Sequence, residues 1–332
     1  MAQKDRYELR KKSRDPSYKR KEGNLPAKKY KHSNPTELRM VFEGVGSGTE
    51  FIDLAMCLST INRKAARQSG YWYVNSVELY NNTDSFVDLH VLPDTWTTRN
   101  AYIRAKAIWD QTNETALKHQ SGILPKYHDF KVYMSDRHRT TGSKNPVVYD
   151  INGAGTAIVP DEWDYSRIVT ADDDGDANQD SDKFYLHMLG GDVGTSDDWT
   201  SIGVIKSYAK TRARNNPTTP QLATSIEDDA LTNVFDYSSE EQLNEIVELL
   251  DSENDSAPYD HDGFLGEGVH MQHVARLATS SIGGRVTMAA GFCAPLGLIC
   301  IDPDITTPSE DTWRLVVNLA PGTYHGAYVE RV

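Results

Sequence analysis

Three glycines in five positions, Gly44, Gly46 and Gly48, run towards the apolar stretch that begins at Phe51. A glycine-rich loop ahead of a helix can cradle phosphate, because its backbone N–H groups converge at the helix N-terminus. The spacing here does not meet that chemistry. A P-loop requires Gly-x-x-x-x-Gly-Lys-Ser/Thr, and no Lys follows Gly48. A dinucleotide fingerprint requires a third glycine at position 49, where Thr49 stands. No apolar strand is apparent ahead of the glycines. They therefore point to a flexible hinge, with a helix beginning after it.

Two acidic stretches raise the question of a cation. In "TADDDGDANQDSD" (170–182), Asp172, Asp174 and Asp176 alternate and could present carboxylates to calcium. The EF-hand template is not met, since its first and twelfth positions would be Thr170 and Ser181. An acidic surface loop is the competing expectation, and the same pair of readings applies to "DSENDSAPYDHDG" (251–263). His270 and His273 could share a metal in a helix, but "EGVHMQHVARLATSS" is strand-like, where they would face opposite ways. His187 and His261 do not complete a convincing metal cluster with them. Cys57, Cys293 and Cys300 form no CxxC pair and have no histidine at zinc spacing. There is no Gly-x-Ser-x-Gly elbow and no His-Glu-x-x-His. No catalytic residue is assigned, and the expectation is a protein that is not an enzyme.

Charge is segregated along the chain. Of 332 residues, the first 32 hold 12 Lys/Arg against 4 Asp/Glu, a net of +8. The other 300 hold 23 against 44, a net of −21. The basic residues are Lys4, Arg6, Arg10, Lys11, Lys12, Arg14, Lys19, Arg20, Lys21, Lys28, Lys29 and Lys31, with Tyr7, Tyr18 and Tyr30 interleaved. So few aliphatic residues cannot offset the entropy of ordering, so residues 1–42 are expected to be a flexible basic arm. Cations interleaved with rings suit phosphates and unpaired bases. A solubilising tail or a nuclear-import signal is the blander alternative. No apolar run reaches membrane-spanning length and no secretory signal precedes the arm, so a soluble, intracellular protein is expected.

The body reads as β-rich. Helical spacing over 51–68 predicts a first helix, capped by Thr49 and ended at Gly70, and 97–119 predicts a second. Ser238 and Glu241 form a capping box for a third over 238–252. Residues 71–80 and 85–92 predict two strands, which the short loop 81–84 could join as a hairpin. Further strands are predicted at 127–135, 183–189, 201–209, 285–292, 296–301 and 313–321. Many short strands without strand–helix alternation predict an all-β sandwich rather than a parallel sheet.

The order of motifs adds a resemblance. "FIDLAMCLSTINRKAARQSGYWYVNSVEL" (51–79) resembles the early segment of capsid proteins of circular, Rep-encoding single-stranded DNA viruses, in their environmental and marine lineages. Phe51–Leu54, Leu58–Arg63 and Arg67–Gly70 fit that pattern, with Ser69 inserted before the glycine. "LPDTWTTRNAYIRAKAIWDQ" (92–111), "PKYHDFKVYMS" (125–135), "VPDEWDYSRIV" (159–169), "FYLHMLGG" (184–191) and "IKSYAKTRA" (205–213) follow in the same order. So do "LLDSENDSAPYDHDGFLGEG" (249–268), "FCAPLGLICID" (292–302) and "LVVNLAPGTYHGAY" (315–328), although Phe-Leu-Gly replaces the usual Tyr-Pro-Gly.

The resemblance implies a single jelly-roll β-sandwich over 43–332, with helices inserted between strands. It implies icosahedral self-assembly, an internal arm that packages the circular single-stranded genome non-specifically, and residence in the virion after assembly in a host cell, the nucleus included. It also makes calcium at Asp172, Asp174 and Asp176 an expectation for subunit interfaces. The alternative from a different class is a cellular nucleic-acid- or glycan-binding sandwich with a basic tail.

Overall fold

The computed structural model describes residues 36–81, 83–119, 127–169, 183–194, 199–211, 258–259, 263–280, 284–305, 312–324 and 327–329. In chain order the first elements are β1 (Arg39–Val45), β2 (Glu50–Asp53), α1 (Leu54–Asn62), β3 (Tyr71–Tyr80) and β4 (Ser85–Val91). A second group follows: α2 (Trp96–His119), β5 (Tyr133–Ser135), α3 (Asp136–Thr141), β6 (Val147–Tyr149), β7 (Gly155–Ala157) and β8 (Arg167–Val169). Then come β9 (Lys183–Leu189), β10 (Val193–Gly194), β11 (Trp199–Gly203) and α4 (Val204–Lys210). The last are β12 (Gln272–Thr279), β13 (Val286–Pro295), β14 (Leu298–Ile305), β15 (Thr312–Leu319), β16 (Gly322–Tyr324) and β17 (Ala327–Val329).

Two antiparallel sheets of four strands form the sandwich, in the orders β1-β15-β3-β13 and β12-β4-β14-β2. Taken in chain order, these strands pair first with eighth (β1·β15), second with seventh (β2·β14), third with sixth (β3·β13) and fourth with fifth (β4·β12). Each connection between consecutive sandwich strands passes from one sheet to the other, except that from β4 to β12. That connection stays in one sheet and carries residues 92–271, with α2 to α4 and β5 to β11. The fold is therefore mostly β, with antiparallel sheets, as the composition and strand spacing predict.

The second sheet is buried on both faces along β2 and the start of β14. Ile52, Val87, Leu89, Val91, Ile299 and Ile301 join Phe42, Trp72, Leu79, Trp313 and Leu315 in the core between the sheets. Phe51, Leu298 and Cys300 turn the other way, into a second core with Tyr102, Trp109, Phe130, Leu186, Ile205 and Tyr208. Sheet strands expose successive side chains to opposite faces, so a layer with two apolar neighbours reads as an unbroken apolar run. This explains why residues 51–53 look helical in sequence but form β2. The helix starts at Leu54 instead. Its cap is Asp53, not Thr49, and it ends with Arg63 in the left-handed region, before Gly70 is reached.

Other expectations are corrected in the same way. Strands β3 and β4 do not form a hairpin; they lie in different sheets, because the inward residues of each face the same core. The strand expected over 127–135 is confined to Tyr133–Ser135. That expected over 201–209 ends at Gly203, where α4 begins and buries Val204, Ile205, Tyr208 and Ala209 at helical spacing. A small mixed sheet also occurs, in which β9 runs parallel to both β5 and β11. Strand β9 forms over Lys183–Leu189 as expected; what local pattern does not carry is its parallel pairing with β5 and β11. The helix expected over 238–252 lies outside the described residues.

The glycine stretch is not a hinge. Residues 39–42, assigned to the arm by sequence, lie with Gly44 in β1, and Met40 and Phe42 are core residues. Gly44 pairs with Trp313, and the indole lies where a side chain would stand: a Cβ on Gly44 would be 2.1 Å from Trp313 Cζ2. Gly46 supplies a turn at φ 72°, whereas a Cβ on Gly48 meets nothing within 4 Å. Gly44→Ala must displace a fully buried Trp and is expected to cost about 1–3 kcal/mol in urea unfolding. Gly48→Ala is expected to stay within about 0.5 kcal/mol of wild type.

Candidate functional site

The described chain begins at Thr36, beside the end of α1. There the Asn62 side chain holds both backbone groups of Glu37, its Oδ1 accepting from Glu37 N at 2.7 Å and its Nδ2 donating to Glu37 O at 3.1 Å. The arm cations from Lys4 to Lys31, and Asp172, Asp174 and Asp176 between β8 and β9, lie outside the described residues. His270 and His273 are not brought together around a common centre. His273 lies on β12 and meets Asp88 at 3.2 Å and the His90 ring at 5.2 Å, while Asp88 is held by Arg276 through two contacts of 2.8 and 2.6 Å. His187 is buried and bonded to Gly191 O. Among the described residues, no three His, Cys, Asp or Glu side chains are placed to hold a metal ion. Nor is any helix among them long and apolar enough to cross a membrane.

The densest polar constellation was not legible in sequence. Asp53 is fully buried at the junction of β2 and α1. Its Oδ1 accepts from Ala55 N at 3.0 Å and Met56 N at 3.2 Å, which caps the helix. Its Oδ2 accepts from Gln68 Nε2 at 3.1 Å, Trp163 Nε1 at 3.2 Å and the Tyr165 hydroxyl at 3.0 Å. Gln68, also buried, pairs with the backbone of Val132 through both ends of its amide. Burial pushes the Asp53 carboxyl up to about 6, against the five hydrogen bonds that favour its charged form. An aspartate before an apolar run is a helix-start signal, but here the run begins two residues earlier, at Phe51, and hides it.

A serine and a histidine complete the chain of contacts and invite comparison with a nucleophile and its base. His138 Nε2 is 2.7 Å from Ser143 Oγ, and Ser143 Oγ is 2.7 Å from the Tyr165 hydroxyl. The hydrogen-bond directions exclude that role. Met134 N donates to His138 Nδ1 at 3.0 Å, so the proton of the neutral ring sits on Nε2. Burial holds His138 down to about 3, which keeps the ring neutral. His138 thus donates to Ser143, Ser143 donates to Tyr165, and Tyr165 donates to Asp53. The ring has no free lone pair with which to accept the serine proton. Four groups pointing one way reinforce one another and fasten the long insertion to the sandwich.

The linkage has a definite sign. The folded protein holds the Asp53 proton to about pH 6, and the unfolded chain only to about 3.8. Between these values the folded state binds more protons, so stability falls as pH rises and levels off above 6. The difference in unfolding free energy between wild type and Asp53→Asn is expected to shift by about 3 kcal/mol across that window, against wild type at the higher pH. Urea titrations at a series of pH values measure it. Tyr165→Phe leaves Ser143 and Asp53 each short of a partner and is expected to cost about 1–3 kcal/mol. Comparisons of this chain with protein-family models, curated proteins and solved structures give no match.

Proposed function

We propose that the chain is the capsid subunit of a circular single-stranded DNA virus, that its sandwich is a jelly roll, and that it assembles into a closed icosahedral shell. One observation carries the proposal: the pairing of the eight sandwich strands, first with eighth through fourth with fifth. Wrapping a single antiparallel ribbon of such pairs into two facing sheets gives the jelly roll, an architecture used by viral capsids. The motif order from Phe51 onwards supports the same reading.

The charge distribution fits that role. The first 32 residues, at net +8, would face the genome and neutralise phosphates without regard to sequence, while a body at −21 would repel nucleic acid and neighbouring particles. In this reading the outer surface of the long insertion between β4 and β12 forms subunit contacts. The buried polar chain at Asp53 keeps the larger insertion in register with the sandwich.

Negative-stain electron microscopy of the full-length protein tests the proposal. Uniform closed particles with nuclease-protected nucleic acid are expected. Monomers or small oligomers across a range of salt and calcium would overturn it in favour of a cellular binding module. Removing residues 1–32 is expected to abolish most nucleic-acid uptake and leave the body folded, as read by circular dichroism.

A further inference from the structure

We propose that the turn following α1, through Arg63 and Lys64, is a second phosphate-binding surface, built into the body at the root of the arm. The inference rests on single-stranded nucleic acid being the partner. In an acidic body, "RKAAR" (63–67) is a local concentration of cations. Arg63 and Arg67 are exposed and Lys64 is half-buried, while Ala66 and Gln68 are buried and pin the turn from beneath. Ser59 ties the turn back to the helix: its carbonyl accepts from Lys64 N at 3.3 Å and its hydroxyl accepts from Ala66 N at 2.8 Å. The cations are thus displayed from a fixed backbone.

Position and pairing single out the two residues. Arg63 directly follows Asn62, whose side chain grips the backbone of Glu37 where the basic segment enters the body. A strand of nucleic acid held by the arm would pass this turn first. Arg67 is engaged with Asp129 at 3.8 Å, and Arg39 with Glu78 at 3.6 Å. Arg63 and Lys64 make no ion pair among the described residues. A guanidinium and an ammonium without an ion-pair partner among the described residues, beside the start of the body, suit backbone phosphates, which both bind without base preference. A simpler role is to complement the negative end of the α1 dipole, which would act on stability alone.

The salt dependence of binding separates these roles. Anisotropy of a fluorescent oligothymidylate is followed against salt with the full-length chain, kept below its assembly concentration. Arg63→Asn with Lys64→Gln removes two cations, and Asn tolerates the left-handed backbone at φ 50°. The slope of log K against log salt is expected to become shallower by about 1.4, at roughly 0.7 per phosphate contact on a single strand. Lys106→Gln with Lys118→Gln, which removes the same charge from α2, is expected to keep the wild-type slope. A turn variant with the wild-type slope, or a control that loses as much, overturns the second surface and leaves packaging by the arm intact. A wild-type chain with no salt-dependent binding overturns both together.

Discussion

The carboxylate of Asp53 is the constraint on which the rest of the architecture depends. It sits where the second sheet ends and α1 begins, without exposure and, among the described residues, without a cation in hydrogen-bond contact. Taking a charge out of water costs several kcal/mol, and only dense hydrogen bonding makes it tolerable. Five donors from three parts of the chain supply that bonding. Removing any one donor leaves the others serving a less satisfied charge. The carboxylate therefore couples the start of α1, the Gln68 turn and the segment holding Trp163 and Tyr165 into one cooperative unit.

The second constraint is the sharing of one sheet between two cores. In a two-layer sandwich, half of each strand would face water. Here the long insertion covers the outer face around β2 and β14, so Phe51, Leu298 and Cys300 are as buried as Ile52, Ile299 and Ile301. The insertion is thus an added layer whose removal would expose apolar surface. The same close use of space appears in the first sheet, where Trp313 covers Gly44 and fills the volume that a side chain there would take.

Function, as proposed, divides between these rigid parts and the charge at the chain's start. The sandwich and its added layer hold geometry, and their polar interior is committed to holding it. The His138 ring is neutral and donates its one ring proton to Ser143.

The sequence by itself determined the β-rich body, most sandwich strands, the long helix α2 and the segregation of charge. Each of these follows from local pattern: alternation in "SFVDLHV", helical spacing over 97–119, and the count of Lys and Arg in the first 32 residues. Only the tertiary structure decided which strands pair, because partners such as β1 and β15 lie about 270 residues apart and local periodicity carries no information about them. It also decided that residues 50–53 are a strand, since an apolar run buried on two faces resembles a helix start until both neighbours are known. And it decided what Gly44, Asp53 and His138 do. A glycine under an indole, a carboxylate with five donors and a histidine with a fixed tautomer are properties of neighbours brought together by folding, which no single stretch of chain contains.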